Sequence, residues 1–154
     1  MEPLRALQVT AGGRAFALDV AQVRSVERPE RWARLPWAPP YVRGVSDVGG
    51  SVVVVIDLAA RLGLPPGLLQ ATQGVVVIDS AEPIGLAVEA IGDVVPLAPG
   101  GLRDLGPAGR RAGVQAVDVS GLVLLDGEPL VDGRALTPID TLLTTPAPPD
   151  GEDT

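Results

Sequence analysis

Two aspartates that end apolar runs are the first candidates for chemistry in this sequence. Asp57 follows Val52–Ile56, five consecutive β-branched residues, and Asp79 ends a second valine-rich run. A carboxylate at the rim of a sheet can serve as a general acid or base, or it can cap the helical turn that follows by accepting backbone N–H groups. Because Asp57 precedes Leu-Ala-Ala-Arg-Leu and then Gly63, a short helix with its end signal, we predict a structural cap there.

The composition removes most other catalytic chemistry. The 154 residues include no cysteine, histidine, lysine or asparagine. Thiol nucleophiles, thiolate metal sites, Schiff-base lysines and the commonest general base are therefore excluded. Carboxylates, hydroxyls and arginines remain, and no spacing among the carboxylates is typical of a calcium or magnesium site. We expect neither a cofactor nor a metal ion.

Charge and hydropathy narrow the classes of partner. The formal net charge is −7, and the longest basic cluster is the pair Arg110-Arg111, so the chain lacks the basic surface that nucleic acid requires. No apolar run approaches the ~20 residues of a membrane-spanning helix, and the first ten residues do not resemble a secretory signal. We predict a cytoplasmic protein with no nucleic-acid partner and no direct membrane insertion.

The run that ends at Asp79 offers one alternative. Val75–Ile78 followed by Asp79-Ser80-Ala81 is similar to the apolar–Asp–Ser/Thr–Gly turn of aspartic proteases, in which two such carboxylates share one proton. Ala81 takes the place of the glycine, however, and no second Asp-Ser pair occurs at the corresponding place elsewhere. A hairpin turn is the favoured interpretation, and a hydrolase that uses Asp79 is kept as an alternative.

An internal repeat organises the chain. Phe16–Val26 matches Ile84–Val94 in pattern at an offset of 68, and Ile56-Asp57 matches Leu125-Asp126 at an offset of 69. Asp126 is therefore a second predicted cap. Valine-rich runs separated by glycine and proline favour a mainly β fold of two strand-rich units, with a boundary near Pro65-Pro66-Gly67. Short helices are predicted at Leu58–Leu62, Gly67–Gln70 and Pro138–Leu143.

Two long connections and a tail complete the organisation. The segments 28–40 and 96–111 join strands, one in each repeat, and long ordered loops commonly carry binding sites. In the first, Trp32 and Trp37 can either anchor a partner or seal the loop onto the core, and the arginines at 28, 31 and 34 can either face an acidic partner or remain solvated. Residues 144–154, acidic and rich in proline, are predicted to be disordered.

The segment 35–63 resembles the signature of CheW-like domains, the adaptors that join chemoreceptors to the CheA histidine kinase. The family's run is close to LP-x-x-P-x-x-V-x-G-V-I-N-L-R-G-x-V-V-P-V-I-D-L-R-x-x-L-G. This chain matches it at Leu35-Pro36, Pro39, Val42, Gly44-Val45, Gly50, Val52-Val53, Val55–Leu58 and Leu62-Gly63.

The resemblance implies a mainly β fold of two five-stranded, SH3-like barrels that share one core, with short helices. Residues 1–143 would form a single CheW-like domain. Its first subdomain would span about 10–65 and its second about 72–135, with the N-terminal strand crossing over.

The resemblance also implies a function. The chain would be a non-enzymatic adaptor that binds a CheA-type kinase through the exposed strands of one barrel. A groove between the barrels would bind the cytoplasmic tip of a methyl-accepting chemoreceptor, in arrays at the inner membrane. Carried over onto this sequence, the groove residues are Val23, Ser25, Val26, Gly44, Val45, Asp47, Val48 and Gly49.

Three departures from the signature affect this groove. Gly49 stands where the family has an arginine that helps engage receptor or kinase, Ser25 stands where it has a glutamate, and Val54 replaces a proline. The groove would keep its apolar lining and lose one charge of each sign. The same fold serving another signalling partner, such as a response regulator or a cyclase, therefore stays open as an alternative.

Overall fold

The computed structural model describes residues 3–29, 31–65 and 74–144, and in these ranges the chain is built mainly of strands. The strands are β1 (Leu4–Ala11), β2 (Arg14–Asp19), β3 (Val23–Glu27), β4 (Val42–Val48), β5 (Ser51–Asp57), β6 (Gly74–Ile78), β7 (Ile84–Val88), β8 (Ala90–Leu97), β9 (Leu102–Asp104), β10 (Val114–Asp118) and β11 (Val123–Leu125). The α-helices are α1 (Leu58–Arg61), α2 (Gly106–Arg111), α3 (Gly127–Val131) and α4 (Ile139–Thr144).

The strands form two sheets. One has six strands in the order β8-β1-β2-β11-β10-β9, and the other has five in the order β3-β6-β7-β5-β4. Neighbouring strands are antiparallel except β2 with β11 and β5 with β7, which are parallel. The predicted mainly β architecture with short helices is confirmed, although the short strand β9 brings one sheet to six strands instead of five.

The two parallel pairs show that the repeats exchange their first hairpins. Phe16 of β2 lies opposite Val123 of β11, and Ile84 of β7 lies opposite Val54 of β5. Phe16 and Ile84 are related by the offset of 68, and Val54 and Val123 are related by the offset of 69. The two parallel pairs therefore have the same register. Each sheet therefore combines the later strands of one repeat with the β-hairpin that opens the other. A parallel pair needs a strand from elsewhere in the chain, because a tight turn joins only antiparallel neighbours.

This exchange determines which segments of the chain share a sheet. The whole hairpin 4–19, and not its first strand alone, belongs to the sheet formed by residues 90–125. The hairpin 74–88 belongs to the sheet formed by residues 23–57. The division into subdomains of about 10–65 and 72–135, with the N-terminal strand crossing over, stays a prediction.

One core lies between the sheets, and each sheet covers a smaller core with its other face. The strand β6 illustrates this arrangement, because Val76 and Ile78 face the shared core while Val75 and Val77 face the smaller one. A strand buried on both faces reads as a continuous apolar run, which explains the valine-rich segments of the sequence. The largest fully buried side chains of the shared core are Phe16, Leu18, Leu58, Leu62, Leu86, Leu125, Leu130 and Ile139.

The helices are short and serve mainly as connections. The predicted helices at Leu58–Leu62 and Pro138–Leu143 correspond to α1 and α4, whereas Gly67–Gln70 lies outside the described residues. The predicted disordered tail also lies outside them, apart from Thr144 at the end of α4. No helix in the described ranges is long and apolar enough to span a bilayer.

Arg61 of α1 joins the two repeats by holding the end of α3. Its Nε donates to the Leu130 carbonyl at 2.9 Å, and its Nη2 donates to the carbonyls of Pro129 at 2.8 Å and Arg134 at 2.6 Å. The guanidinium also lies over the Tyr41 ring, 4.6 Å from its centre. Burial lowers the pKa of Arg61, yet an arginine stays protonated, so a buried cation meets the negative end of α3.

Replacement of this side chain tests its contribution to stability. We expect Arg61→Leu to lower the free energy of unfolding by about 3 kcal/mol, because two buried carbonyl oxygens and one partly buried carbonyl oxygen lose their donor. The free energy of unfolding of Arg61→Lys should lie between those of the unaltered chain and Arg61→Leu, since one ammonium group cannot make all the hydrogen bonds of a guanidinium. Urea denaturation gives the values, with Arg110→Leu on the exposed surface of α2 as the matched control. An unchanged midpoint for Arg61→Leu would contradict this role.

Candidate functional site

Asp57 and Asp126 occupy equivalent positions and both cap a helix. Asp57 Oδ1 accepts a hydrogen bond from the Ala60 backbone N–H at 3.2 Å, and Asp126 Oδ1 accepts one from Glu128 at 3.3 Å. Asp57 is buried and its Oδ2 also lies 3.4 Å from Arg43 Nη2. These contacts are those of helix N-caps, with an additional ion pair at Asp57.

Asp79 lies at the exposed turn between β6 and β7. Its backbone N–H donates to the Gln22 carbonyl at 2.8 Å, and the hydroxyl of Ser80 donates to the Glu82 carbonyl at 2.9 Å. The second contact lies within the turn, as expected for an Asp-Ser hairpin connection, and the first joins the start of the turn to the segment before β3. In the part of the chain that the structure describes, no group of three acidic side chains is placed to hold a metal ion.

The turn between β4 and β5 brings the end of the predicted groove into contact with solvent. Gly49 and Gly50 have φ values of +58° and +88°, and Asp47 Oδ1 accepts a hydrogen bond from the Gly50 N–H at 3.0 Å. A two-residue turn with two positive φ angles is typical of a tight hairpin and favours glycine at both positions. This turn provides a local reason for glycine at position 49, where the family signature has arginine.

The turn forms one wall of a pocket of about 380 Å³, which we call the hairpin pocket. The other wall comes from the end of β3 and the residues after it. Its complete lining is Glu27, Arg28, Pro29, Arg31, Asp47, Val48 and Gly49. Three of the eight predicted groove residues thus share one pocket with four neighbours that the signature does not include.

The other five predicted groove residues do not line this pocket. Val23, Ser25 and Val26 lie on β3, whereas Gly44 and Val45 lie on β4, and these two strands are the opposite ends of the five-stranded order. Val23 packs against the shared core, and Val26 is 43% exposed. Of the residues of β3, it is Glu27 at the end of the strand that lines the pocket together with the β4–β5 turn.

The long loop after β3 is held against the edge of β4. The N–H of Ala33 donates to the Val45 carbonyl at 2.9 Å, and the N–H of Val45 donates back at 2.8 Å. Ser46, which is buried, donates its hydroxyl proton to the Arg31 carbonyl. A Cβ atom at Gly44 would lie 2.2 Å from the Ala33 carbonyl oxygen, so this close approach requires glycine.

The same loop presents its aromatic residues to solvent. Trp37 is 99% exposed and has a φ of +58°, and Trp32 is 39% exposed. The sequence leaves open whether each tryptophan anchors a partner or seals the loop onto the core. At this exposure Trp37 does not seal the core. A fully exposed tryptophan on a loop anchored by backbone hydrogen bonds is available for contact with a partner.

Charges of both signs border the hairpin pocket. Glu27 and Asp47 supply carboxylates, and Arg28 and Arg31 supply guanidinium groups. Glu27 follows Ser25 by two residues, so it lies on the same face of β3, and the alternation of a strand is the sequence signal that identifies it. The sequence predicts that Arg28 and Arg31 either face an acidic partner or remain solvated, and their approach to the β4–β5 turn depends on how the loop folds back.

Comparisons with known proteins point to one family. A family model described as CheW-like domain matches residues 5–135. Chemotaxis protein CheW of Bacillus subtilis is 33% identical over 84 residues, which make up 54% of this chain and 54% of that protein. Probable chemotaxis protein CheW of Rhizobium etli is 32% identical over 85 residues, or 54% of this chain and 55% of that protein. The chain spans about half the length of these curated relatives.

A solved structure is similar over a larger part of the chain. Scaffolding protein TtCheW from Thermoanaerobacter tengcongensis superposes with a TM-score of 0.73 at 19% identity. The match covers 87% of this chain and 97% of that one. At this level of identity the likeness shows the fold.

The two caps provide a matched test of the buried ion pair. Asparagine caps a helix about as well as aspartate, so Asp126→Asn should change the free energy of unfolding by less than about 0.5 kcal/mol. Asp57→Asn should lower it by about 2 kcal/mol, because Arg43 is left buried without its counter-charge.

Chemical denaturation at neutral pH measures both effects. Adding Arg43→Met to Asp57→Asn should recover most of the loss, since the unpaired charge is then removed. Equal losses for Asp57→Asn and Asp126→Asn would show that the pair with Arg43 contributes nothing beyond the cap.

Proposed function

The chain belongs to the CheW-like domain family, and from that membership we propose that it is a non-enzymatic scaffold that couples a chemoreceptor to a CheA-type histidine kinase. The proposal places the protein in the cytoplasm, at receptor arrays on the inner membrane. Its action is organisational: it holds two partners in a fixed geometry, so that a small conformational bias in one changes the populations of states in the other.

The observation that carries the proposal is the hairpin pocket. Asp47 to Gly49, which are carried over from the family signature, line this pocket. Beside them is the loop after β3, which backbone hydrogen bonds hold on β4 and which exposes Trp37. In this proposal the pocket and the adjacent β3 surface contact the helical hairpin at the cytoplasmic tip of a methyl-accepting chemoreceptor. Val26 supplies exposed apolar surface on β3, and the charged rim sets orientation and specificity.

Charged side chains at the rim of the hairpin pocket lie near the positions of the two charges that the chain lacks relative to the signature. Glu27 brings a carboxylate to the face of β3 that carries Ser25, and Arg28 and Arg31 bring cations next to Gly49. One carboxylate and two guanidinium groups thus lie near the positions of the two missing charges. A receptor that pairs with this chain should carry its complementary charges at correspondingly shifted positions, which favours a dedicated receptor over a change of partner class.

The alternatives from the sequence give different outcomes in the same assays. A CheW-fold module for a response regulator or a cyclase would bind that protein and not a receptor tip. A hydrolase that uses Asp79 would cleave peptides at acid pH and lose this activity in Asp79→Asn. The turn contacts of Asp79 and Ser80 lend this second alternative no support.

A paired substitution tests the charged rim. We expect Arg28→Ala with Arg31→Ala to weaken binding to the cytoplasmic hairpin of the cognate receptor by at least about fivefold, because two partly desolvated charge contacts are lost. Binding to the CheA-type kinase should stay unchanged. Fluorescence anisotropy with each purified partner at two salt concentrations gives the affinities, and the loss should be larger at low salt.

Arg110→Ala with Arg111→Ala on α2 is the matched control, since it removes the same net charge from another surface. If the rim variant binds the receptor as the control does, the hairpin pocket is not the receptor site. If the unaltered chain binds neither receptor nor kinase at tens of micromolar, the coupling function itself is refuted.

A further inference from the structure

The internal symmetry allows the two ends of the molecule to be compared. In each repeat, the turn of a β-hairpin lies near the end of a helix that an aspartate caps. The β1–β2 turn lies near the end of α1, and the β6–β7 turn lies near the end of α3. One of these two surfaces is covered by the chain itself, and the other is open.

Pro138 and the first two residues of α4, Ile139 and Asp140, cover the first surface. The N–H of Ile139 donates to the Leu62 carbonyl at 2.8 Å, and the Ile139 side chain is fully buried. Arg14, at the β1–β2 turn, pairs with Asp140 at 2.5 Å. An apolar residue followed by a charged one thus bridges the helix end and the hairpin.

The second surface is a groove of about 490 Å³, which we call the α3 groove. The β6–β7 turn and the residue Gln22 form one side, and α3 with Asp132 forms the other. Ile78, Ile84 and Val131 supply an apolar lining. At the offset of 69, Val131 and Asp132 correspond to Leu62 and Gly63, the two residues of the first surface that contact 138–139.

The position that corresponds to Arg14 in the second repeat carries the opposite charge. Arg14, which precedes Phe16 by two residues, corresponds to Glu82, which precedes Ile84 by two. Asp79 and Glu128 also line the groove, so its rim is acidic. Asp132 pairs with Arg134, whereas none of the ion pairs found among the described residues involves Asp79, Glu82 or Glu128.

The chain's own remaining segments do not supply the missing cation. The residues outside the described ranges include no arginine, and lysine does not occur in the protein. The α4 segment of a second copy would bring Asp140 towards Glu82, and like charges at that distance repel. Neither of these segments complements the acidic rim, so the charges favour a segment of a different protein.

We propose that the α3 groove binds a short segment of a partner protein in which an aliphatic side chain is followed directly by arginine or lysine. The aliphatic side chain fills the position that Ile139 fills on the first surface, and the cation pairs with Glu82. This is the helix-in-groove mode of peptide recognition, applied by the fold to its own α4 on one side and to a partner on the other. The proposal does not depend on receptor binding, because the groove and the hairpin pocket share no residue.

Peptides based on the chain's own α4 segment provide the probe. A labelled peptide of residues 136–144 carrying Asp140→Arg should bind the full-length protein at least tenfold more tightly than the peptide of native sequence, by fluorescence anisotropy. Glu82→Arg in the protein should reverse this order of affinity. Because Glu82 is exposed, this substitution leaves the fold intact, and Glu128→Arg gives a second variant in the same rim.

The controls separate the groove from other places of binding. Arg14→Ala, which removes the charge beside Asp140 without reversing it, should leave the affinity of the Asp140→Arg peptide unchanged, and a change would show that the peptide displaces α4 instead. Equal affinities of the two peptides, or an order that Glu82→Arg does not alter, would overturn the proposal. Self-association of the chain in sedimentation velocity that Glu82→Arg abolishes would also overturn it, since a second copy would then occupy the groove.

Discussion

The parallel pairing of β2 with β11 and of β5 with β7 is the constraint on which the rest of the structure depends. Each pair joins strands from different repeats, so neither sheet can be completed by one repeat alone. The shared core, with Phe16 and Leu125 from one sheet and Ile56 and Leu86 from the other, is assembled by the same exchange. Arg61 adds a polar tie across it, from α1 to the carbonyls that end α3. The two sheets should therefore unfold as one cooperative unit.

This cooperativity suits the proposed role of the chain as a scaffold. A scaffold transmits a bias between partners only if its own surfaces keep a fixed relation to one another, and interlocked sheets give few independent modes of opening. The hairpin pocket adds a second level of order, because backbone hydrogen bonds between Ala33 and Val45 hold its loop on the edge of β4. The same bonds cover an edge strand that would otherwise offer unpaired backbone groups to another chain.

Much of this architecture could be predicted from the sequence, and the limits have physical causes. The valine runs mark strands buried on both faces, and the offsets of 68 and 69 match the observed registers residue for residue. The repeat does not reveal which copy a hairpin joins, since pairing within a copy and pairing between copies satisfy the same pattern of apolar residues. The carbonyl partners of Arg61 lie 68 to 73 residues away, and no local pattern identifies them. Glu27 is recognisable by strand alternation once β3 is known, whereas Arg28 and Arg31 require the path of the loop.

Equivalent positions in the two repeats show how duplication separates structural from functional roles. Asp57 and Asp126 retain one role as caps, because both repeats need the same strand-to-helix turn. Arg14 and Glu82 have opposite charges, and the surface next to Arg14 is satisfied by the chain itself while that next to Glu82 is open. The two cap positions are thus alike in both copies, whereas the rim positions Arg14 and Glu82 differ. In the proposal for the α3 groove, this difference between equivalent rim positions marks a binding surface, whereas the two like aspartates mark only the turn that each repeat needs.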